Sequence, residues 1–307
     1  MRLHPTGKFD NRAASYRHIE ARPLAAAMGA EILGVDAARI TDDQFAELRH
    51  ALFRHKMIYL RRQKLTHADH ESFSLRFGAF AEDAYTHGIP GHTNVHPLIK
   101  EANDQSRMVF GEGWHTDSPF LAEPPAITIL HSVEVPPFGG DTTWANSALA
   151  YTMLSETYRK MIAPLKVHFS LRDVLRSAQD AVEIGDSPIG RLAATRDADR
   201  LPEHLLIKVR GNAHPMVRTH PVTGEKALYV DPSYGIGIDG MQPEESAPIL
   251  QFLSEHLTQP AFSCRLRWEP DMIALWDNRL CVHQAYNDYQ GYRREMYRTT
   301  IQGEKPA

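Results

Sequence analysis

The chain has 307 residues, 42% of them hydrophobic and 23% charged, a balance that fits a soluble globular protein and excludes a disordered or fibrous one. Lys and Arg total 34 against 38 Asp and Glu, for a net charge of −4, so neither nucleic acid nor an anionic membrane is an expected partner. Two cysteines, Cys264 and Cys281, exclude a disulfide framework and suit a reducing compartment.

The opening MRLHPTGKFD carries no apolar signal segment, and no run of about 18 apolar residues occurs anywhere. A cytoplasmic location is therefore expected. EARPLAAAMGAEILGVD reads as two short strands around a glycine turn. Thr41 and Gln44 have capping-box spacing, which predicts a helix from Asp42 to Arg54. Met57 to Leu60 reads as a strand, and Thr66 opens a second helix that stops near Gly78. From Asp83 to Gly113 the chain reads as loop. His87, His92 and His96 fall in it and are expected to face solvent, with substrate contact as the alternative.

AITILHSVEV and DTTWAN are strand signals, and Gly139 and Gly140 make a tight turn into the second. Ser147 to Ala163 reads as one helix. Val167 to Asn212 is irregular and mixed in charge, so an insertion or lid over 165–212 is expected. Pro243 to Leu257 reads as helix, and FSCRLRW, DMIALWD and REMYRTTIQG as strands. Separated strands with few helices between them suggest an antiparallel sandwich or jelly roll with helices outside. No linker divides the chain, so one domain over 1–307 is expected. Trp144, Trp268 and Trp276 are expected in its core. Cys281 is expected there too, with an oxidation-sensitive thiol as the alternative.

Three His-x-Asp/Glu pairs occur: His18 with Glu20, His67 with Asp69, and His115 with Asp117. On an extended segment residues i and i+2 share a face and can reach one ion; on a helix they lie about 200° apart. His67 and Asp69 fall in a predicted helix, and His18 and Glu20 in a polar arm. His115 and Asp117 follow Gly111 and Gly113 and precede a strand. A surface histidine beside a surface aspartate would give the same spacing. His283, just beyond the DMIALWD strand, is the histidine that would complete a two-histidine, one-carboxylate set with open coordination positions. Arg294 and Arg298 share a strand face with Met296 and Thr300; Met296 suggests that this face points inward, with an outward face and solvated arginines as the alternative. An inward guanidinium needs an anion, which an organic acid held to a metal would supply.

WHTDSPF, PPFGGDTTW, WDNRLCVHQAYNDY and RREMYRTTIQG together resemble the taurine dioxygenase/TfdA-like family of Fe(II)- and 2-oxoglutarate-dependent oxygenases. MGAEILGVD, RHALFRHKMIYLRRQKLT and LRFG extend the resemblance over nearly the whole chain. It implies a mainly β fold with flanking helices, a double-stranded β-helix or jelly roll. It implies His115, Asp117 and His283 as iron ligands, and Thr142 and Arg294 as 2-oxoglutarate contacts. Arg298 matches an arginine that meets the substrate's acidic group or lies beside the 2-oxoglutarate carboxylate. The implied reaction consumes O2 and 2-oxoglutarate and hydroxylates a small anionic substrate. A carboxylate, sulfonate or sulfate ester is expected, with cleavage where the carbon carries oxygen or nitrogen. Asp117 argues for hydroxylation, because related halogenases lack that carboxylate.

Two positions depart from the taurine enzyme's pattern: Asp83 stands where a histidine is expected, and Gly111 where an asparagine is. Taurine is therefore disfavoured, and the blocks lean toward aryloxyalkanoate (dichlorprop-type) members. Asp83, Gly111, Ser118 and Arg298 are the candidate substrate contacts. A second copy of the chain remains an open partner. A zinc hydrolase and a metal-free jelly-roll binding protein are the rival readings; the zinc hydrolase leaves Arg294 and Arg298 unexplained, and in the binding protein the triad would be vestigial.

Overall fold

The computed structural model describes residues 9–83, 88–104, 111–173 and 203–307. Its strands are β1 (Glu20–Pro23), β2 (Ala30–Leu33), β3 (Met57–Leu60), β4 (His96–Lys100), β5 (Ile127–Glu134), β6 (Thr142–Asn146), β7 (Lys166–Phe169), β8 (Asn212–Pro215), β9 (Val217–Thr219), β10 (Lys226–Leu228), β11 (Gly235–Ile238), β12 (Ser263–Leu266), β13 (Ile273–Asp277), β14 (Cys281–Ala285) and β15 (Arg294–Ile301). The helices are α1 (Asp42–His55), α2 (His67–Leu75), α3 (Ser147–Met153), α4 (Glu156–Ile162), α5 (Glu203–Arg210) and α6 (Pro243–Leu257). No helix among the described residues is long and apolar enough to cross a membrane.

A seven-stranded sheet runs β1-β2-β3-β13-β5-β15-β4, and a three-stranded sheet runs β12-β6-β14. Only β2 with β3 is parallel within them. The period of two along each strand sorts the side chains. Met57, Tyr59, Leu130, Ala274, Trp276 and Met296 leave one face of the large sheet and pack with Trp144, Cys264 and Cys281 of the small one. Ile58, Leu60, Ile129, Ile273 and Leu275 leave the opposite face and pack under Leu48, Leu52 and Phe73 of α1 and α2. Each such side chain contributes about 1.5–3 kcal/mol when fully buried. The three tryptophans and Cys281 sit in this core, as expected.

The capping box at α1 forms as read: Gln44 N donates to Thr41 Oγ1 and Thr41 N to Gln44 Oε1, both at 3.2 Å. Thr66 has the equivalent arrangement with Asp69. The single helix expected over Ser147–Ala163 is two. Leu154 is extended, and Ser155 starts α4 by accepting the Tyr158 N–H at 3.2 Å. The 83–113 loop contains a strand, β4. Pro97 hides it from a propensity reading, but Pro is tolerated because β4 is an edge strand. His96 is therefore buried rather than solvent-facing, and His92 Nδ1 lies 2.6 Å from Glu71 Oε2. His87 lies outside the described residues. The stretch read as irregular opens with β7 and closes with α5; the middle of the expected 165–212 lid lies outside the described residues.

Candidate metal centre

Backbone pairing assembles the centre. β14 lies against β6 on one edge, with His283 opposite Trp144. On its other edge His115 and His283 exchange both backbone hydrogen bonds, at 2.9 and 2.7 Å, and Ala285 N donates to Gly111 O at 2.8 Å. Directly opposed residues of an antiparallel pair project to one face. The two imidazoles accordingly stand side by side, ring centroids 4.1 Å apart. Asp117 follows two residues on and reaches the same place. Gly111 is left-handed, φ 84°, and a Cβ on it would meet His115 Cε1 at 3.1 Å. A side chain there would crowd the ligand.

His115 Nε2 and His283 Nε2 lie 3.9 and 4.0 Å from Asp117 Oδ1. These distances are too long for hydrogen bonds. They suit a shared ion: donors about 2.0–2.2 Å from one centre stand at most roughly 4.4 Å apart. Among the described residues this is the group of His, Cys, Asp or Glu placed to hold a metal. His115 Nδ1 donates to Gly113 O at 2.7 Å, which leaves the Nε2 lone pair for the ion. Burial holds both imidazoles below their ordinary pKa, His283 at about 3, so both stay neutral ligands. Burial alone would raise Asp117. His283, Arg298 and His115, with a hydrogen bond from Thr128, bring it below the usual carboxylate value. A neutral, neutral, anionic donor set with an open side fits Fe(II).

Around the ligands is a supporting layer that the sequence does not announce. Thr128 Oγ1 donates to Asp117 Oδ2 at 2.5 Å and accepts from Asn278 Nδ2 at 2.8 Å. Asn278 Oδ1 accepts from Trp276 Nε1 at 2.9 Å. Asp231 braces the ligand segment from behind. Its carboxylate accepts the N–H groups of Thr116, Ser233 and Tyr234 at 2.6, 2.8 and 2.9 Å. Burial lifts its pKa to about 7. The only sequence signal was the DPSYG turn composition, which is common.

The cavity beside the ligands is lined by Gly111, Leu98, Leu130, Trp276, Thr142, Arg294 and Arg298. Thr142 Oγ1 accepts from Trp268 Nε1 at 3.0 Å, so its own proton is free to be donated. The glycine turn packs beside Arg294. Gly140 N donates to Asp288 Oδ1 at 2.7 Å, and a Cβ on Gly140 would crowd Pro136 and Tyr289 at 3.2 Å and touch Arg294 at 3.5 Å. Arg294 Nε is buried without a hydrogen-bond partner, and desolvation lowers the group's pKa. Among the described residues no carboxylate pairs with it.

Arg298 is differently placed. Its Nη2 donates to Asp83 Oδ2 at 2.5 Å and its Nη1 lies 3.7 Å from Asp117 Oδ1. Asp83, read as a substrate contact, has a side chain 2% exposed and pairs with Arg298. Ser118, also read as a substrate contact, is buried in a left-handed turn, φ 46°. The rejected pairs are occupied elsewhere. Glu20 pairs with Arg22, and Asp69 caps Thr66.

A family model described as taurine catabolism dioxygenase TauD, TfdA family matches residues 20–300. The chain is 32% identical over 301 residues to an alpha-ketoglutarate-dependent sulfate ester dioxygenase of Pseudomonas putida, covering 94% of this chain and 91% of that one. It is 27% identical over 288 residues to an (S)-phenoxypropionate/alpha-ketoglutarate-dioxygenase of Sphingobium herbicidovorans, covering 92% and 94%. The crystal structure of a taurine dioxygenase from Burkholderia xenovorans superposes with a TM-score of 0.76 at 35% identity, covering 95% and 93%. The lean toward aryloxyalkanoates gains no support over sulfate esters from these identities.

Proposed function

The chain belongs to the TauD/TfdA family and is a 2-oxoglutarate-dependent dioxygenase, and we propose that it hydroxylates a C–H bond of a small organic acid. The names of its relatives, a sulfate ester dioxygenase and a phenoxypropionate dioxygenase, support an acidic substrate. His115, Asp117 and His283 would hold Fe(II). Arg294 would bind the far carboxylate of 2-oxoglutarate and Thr142 would donate a hydrogen bond to it, both facing one cavity. When bound, Fe(II), 2-oxoglutarate and O2 supply the oxidation, with succinate and CO2 as co-products.

The protein's part is placement. The β14 ladder fixes both imidazoles, Thr128 fixes the free carboxylate oxygen of Asp117, and Leu98, Leu130 and Trp276 make the wall that excludes water. Hydroxylation beside oxygen or nitrogen would then cleave that bond in the product. The shared core and antiparallel pairing support reading the two larger sheets as the halves of a double-stranded β-helix. The same continuity supports one domain, with 165–212 as an insertion. Two buried free cysteines support a reducing, cytoplasmic setting.

The observation that carries the proposal is Arg294: a half-buried cation whose Nε is buried with no hydrogen-bond partner and which has no acidic partner among the described residues, in the cavity of the triad. A zinc hydrolase has no use for it. The test is release of labelled CO2 from 2-oxoglutarate by the iron-loaded protein in air, with a panel of sulfate esters, sulfonates and aryloxyalkanoates. Substrate-dependent succinate is expected. Hydrolysis with zinc and no O2 uptake would overturn the reading.

A further inference from the structure

The segment that carries His115 and Asp117 has a backbone partner on one edge only. His115 turns its N–H and C=O to His283 on β14. Around such a bridge the backbone groups of the flanking residues point the other way, so Trp114 C=O and Thr116 N–H face away from β14. Among the described residues no strand pairs with that second edge. The turn between β10 and β11 takes its place with side chains. Asp231 Oδ2 accepts from Thr116 N at 2.6 Å, and Ser233 Oγ donates to Trp114 O at 2.9 Å. Tyr234 of the same turn packs its ring edge-on against the imidazole of His115, the residue between, with centroids 6.2 Å apart. A Cβ on Gly113 would meet Ser233 Oγ at 2.6 Å, so a side chain there would displace the hydroxyl.

The buried Asp231 carboxylate divides its oxygens. Oδ1 accepts the N–H groups of Ser233 and Tyr234 at 2.8 and 2.9 Å and shapes the turn, while Oδ2 holds Thr116. The Thr116 hydroxyl is anchored separately, on Asn278 O at 2.8 Å. Thr116 lies between the two ligands, so fixing its backbone fixes the frame from which both reach one ion. We propose that Asp231 and Ser233 are positioning residues for the metal ligands, standing in for an edge strand and setting the spread between His115 and Asp117. This rests on the metal-centre reading above and adds what orients its ligands.

The test is titration of the full chain with Co(II), whose visible absorption bands report the arrangement of its donors. The wild type comes first; no binding there sinks the metal centre itself, and the dioxygenase reading with it. Asp231→Asn keeps the size but offers one acceptor oxygen to two sides. That oxygen goes to the two N–H groups of the turn, and the amide NH2 then faces Thr116 N–H. Co(II) should bind about 10- to 100-fold more weakly, with shifted bands. Ser233→Ala removes a hydrogen bond and no charge. It should weaken Co(II) binding about two- to tenfold and also shift the bands. Circular dichroism checks the fold, and where Asp231→Asn does not fold, Ser233→Ala decides. Wild-type affinity and bands in either folded variant overturn the proposal. Weaker binding with unchanged bands overturns it as well, because lost charge or stability then explains the effect without any change in ligand placement.

Discussion

His115 and His283 are bound to each other through the backbone, N–H to carbonyl in both directions, at 2.9 and 2.7 Å. Two residues 168 positions apart in the chain are thereby placed opposite one another by a ladder, not by their side chains. The ladder, with the two rings packed against each other, sets where the imidazoles stand. Such preorganisation is what a binding site on a sheet gains over one on loops.

Because the ladder is made of backbone, His283→Ala should leave β14 paired while removing one ligand. We expect a folded protein whose Mn(II) affinity falls by more than the 10- to 100-fold typical of losing a group behind a ligand, roughly, and whose substrate-dependent succinate release disappears. Asp117→Ala should do the same. Calorimetric titration with Mn(II) alongside circular dichroism checks it; tight metal binding by the His283→Ala protein would remove that residue from the centre.

Thr128→Val tests the supporting layer. The substitution keeps the volume and removes the proton donated to Asp117 Oδ2 at 2.5 Å. It also leaves Asn278 Nδ2 without its acceptor. Metal affinity should drop about 10- to 100-fold, and stability by about 1–3 kcal/mol for the unsatisfied amide. Urea unfolding of the metal-free protein reads the second effect, metal titration the first.

Arg294→Leu should move two measurements in opposite directions. Its Nε is buried with no partner, and desolvation opposes its charge. An apolar replacement therefore should make the metal-free protein melt at the same or a higher temperature. The 2-oxoglutarate dissociation constant should rise about tenfold or more, since a charge-assisted fork contributes about 1.5–3 kcal/mol. Lower melting temperature with unchanged 2-oxoglutarate affinity would make Arg294 a structural residue.

What the sequence disclosed, and what it hid, follows from the range of each interaction. His115 with Asp117 was legible because alternation on an extended segment is local, and the inward face of Arg294, Met296 and Arg298 for the same reason. The capping of α1 needed only Thr41 and Gln44. The pairing of β14 with the WHTD segment was not legible, because CVHQA is five residues long and its partner is far away in the chain. Asp231 acts on Thr116 across 115 positions, and Asp83 on Arg298 across 215. No pattern of period two or 3.6 records such contacts. Asp83 was singled out as a departure from the resemblance, yet its partner emerged only from the fold.

Buried neutral histidines outside the centre should set the acid stability of the metal-free protein. His70 is 1% exposed, and burial, reinforced by His131 and His67, takes its pKa from 6.5 to about 3. Its Nδ1 has no hydrogen-bond partner, and the backbone of Ile129, which favours protonation, is outweighed by burial. Between those two values the unfolded chain binds a proton that the folded chain refuses. Stability is therefore fully present above the unfolded pKa and is lost as pH falls toward the folded one. From pH 7 to pH 5 this one group should remove about 2 kcal/mol. His55, lowered to about 4 by burial, adds in the same direction. His70→Gln should flatten the dependence by about that amount, read as the difference in urea unfolding free energy between the two pH values. A variant with the wild-type slope would show that His70 takes up its proton in the folded state at an ordinary pH.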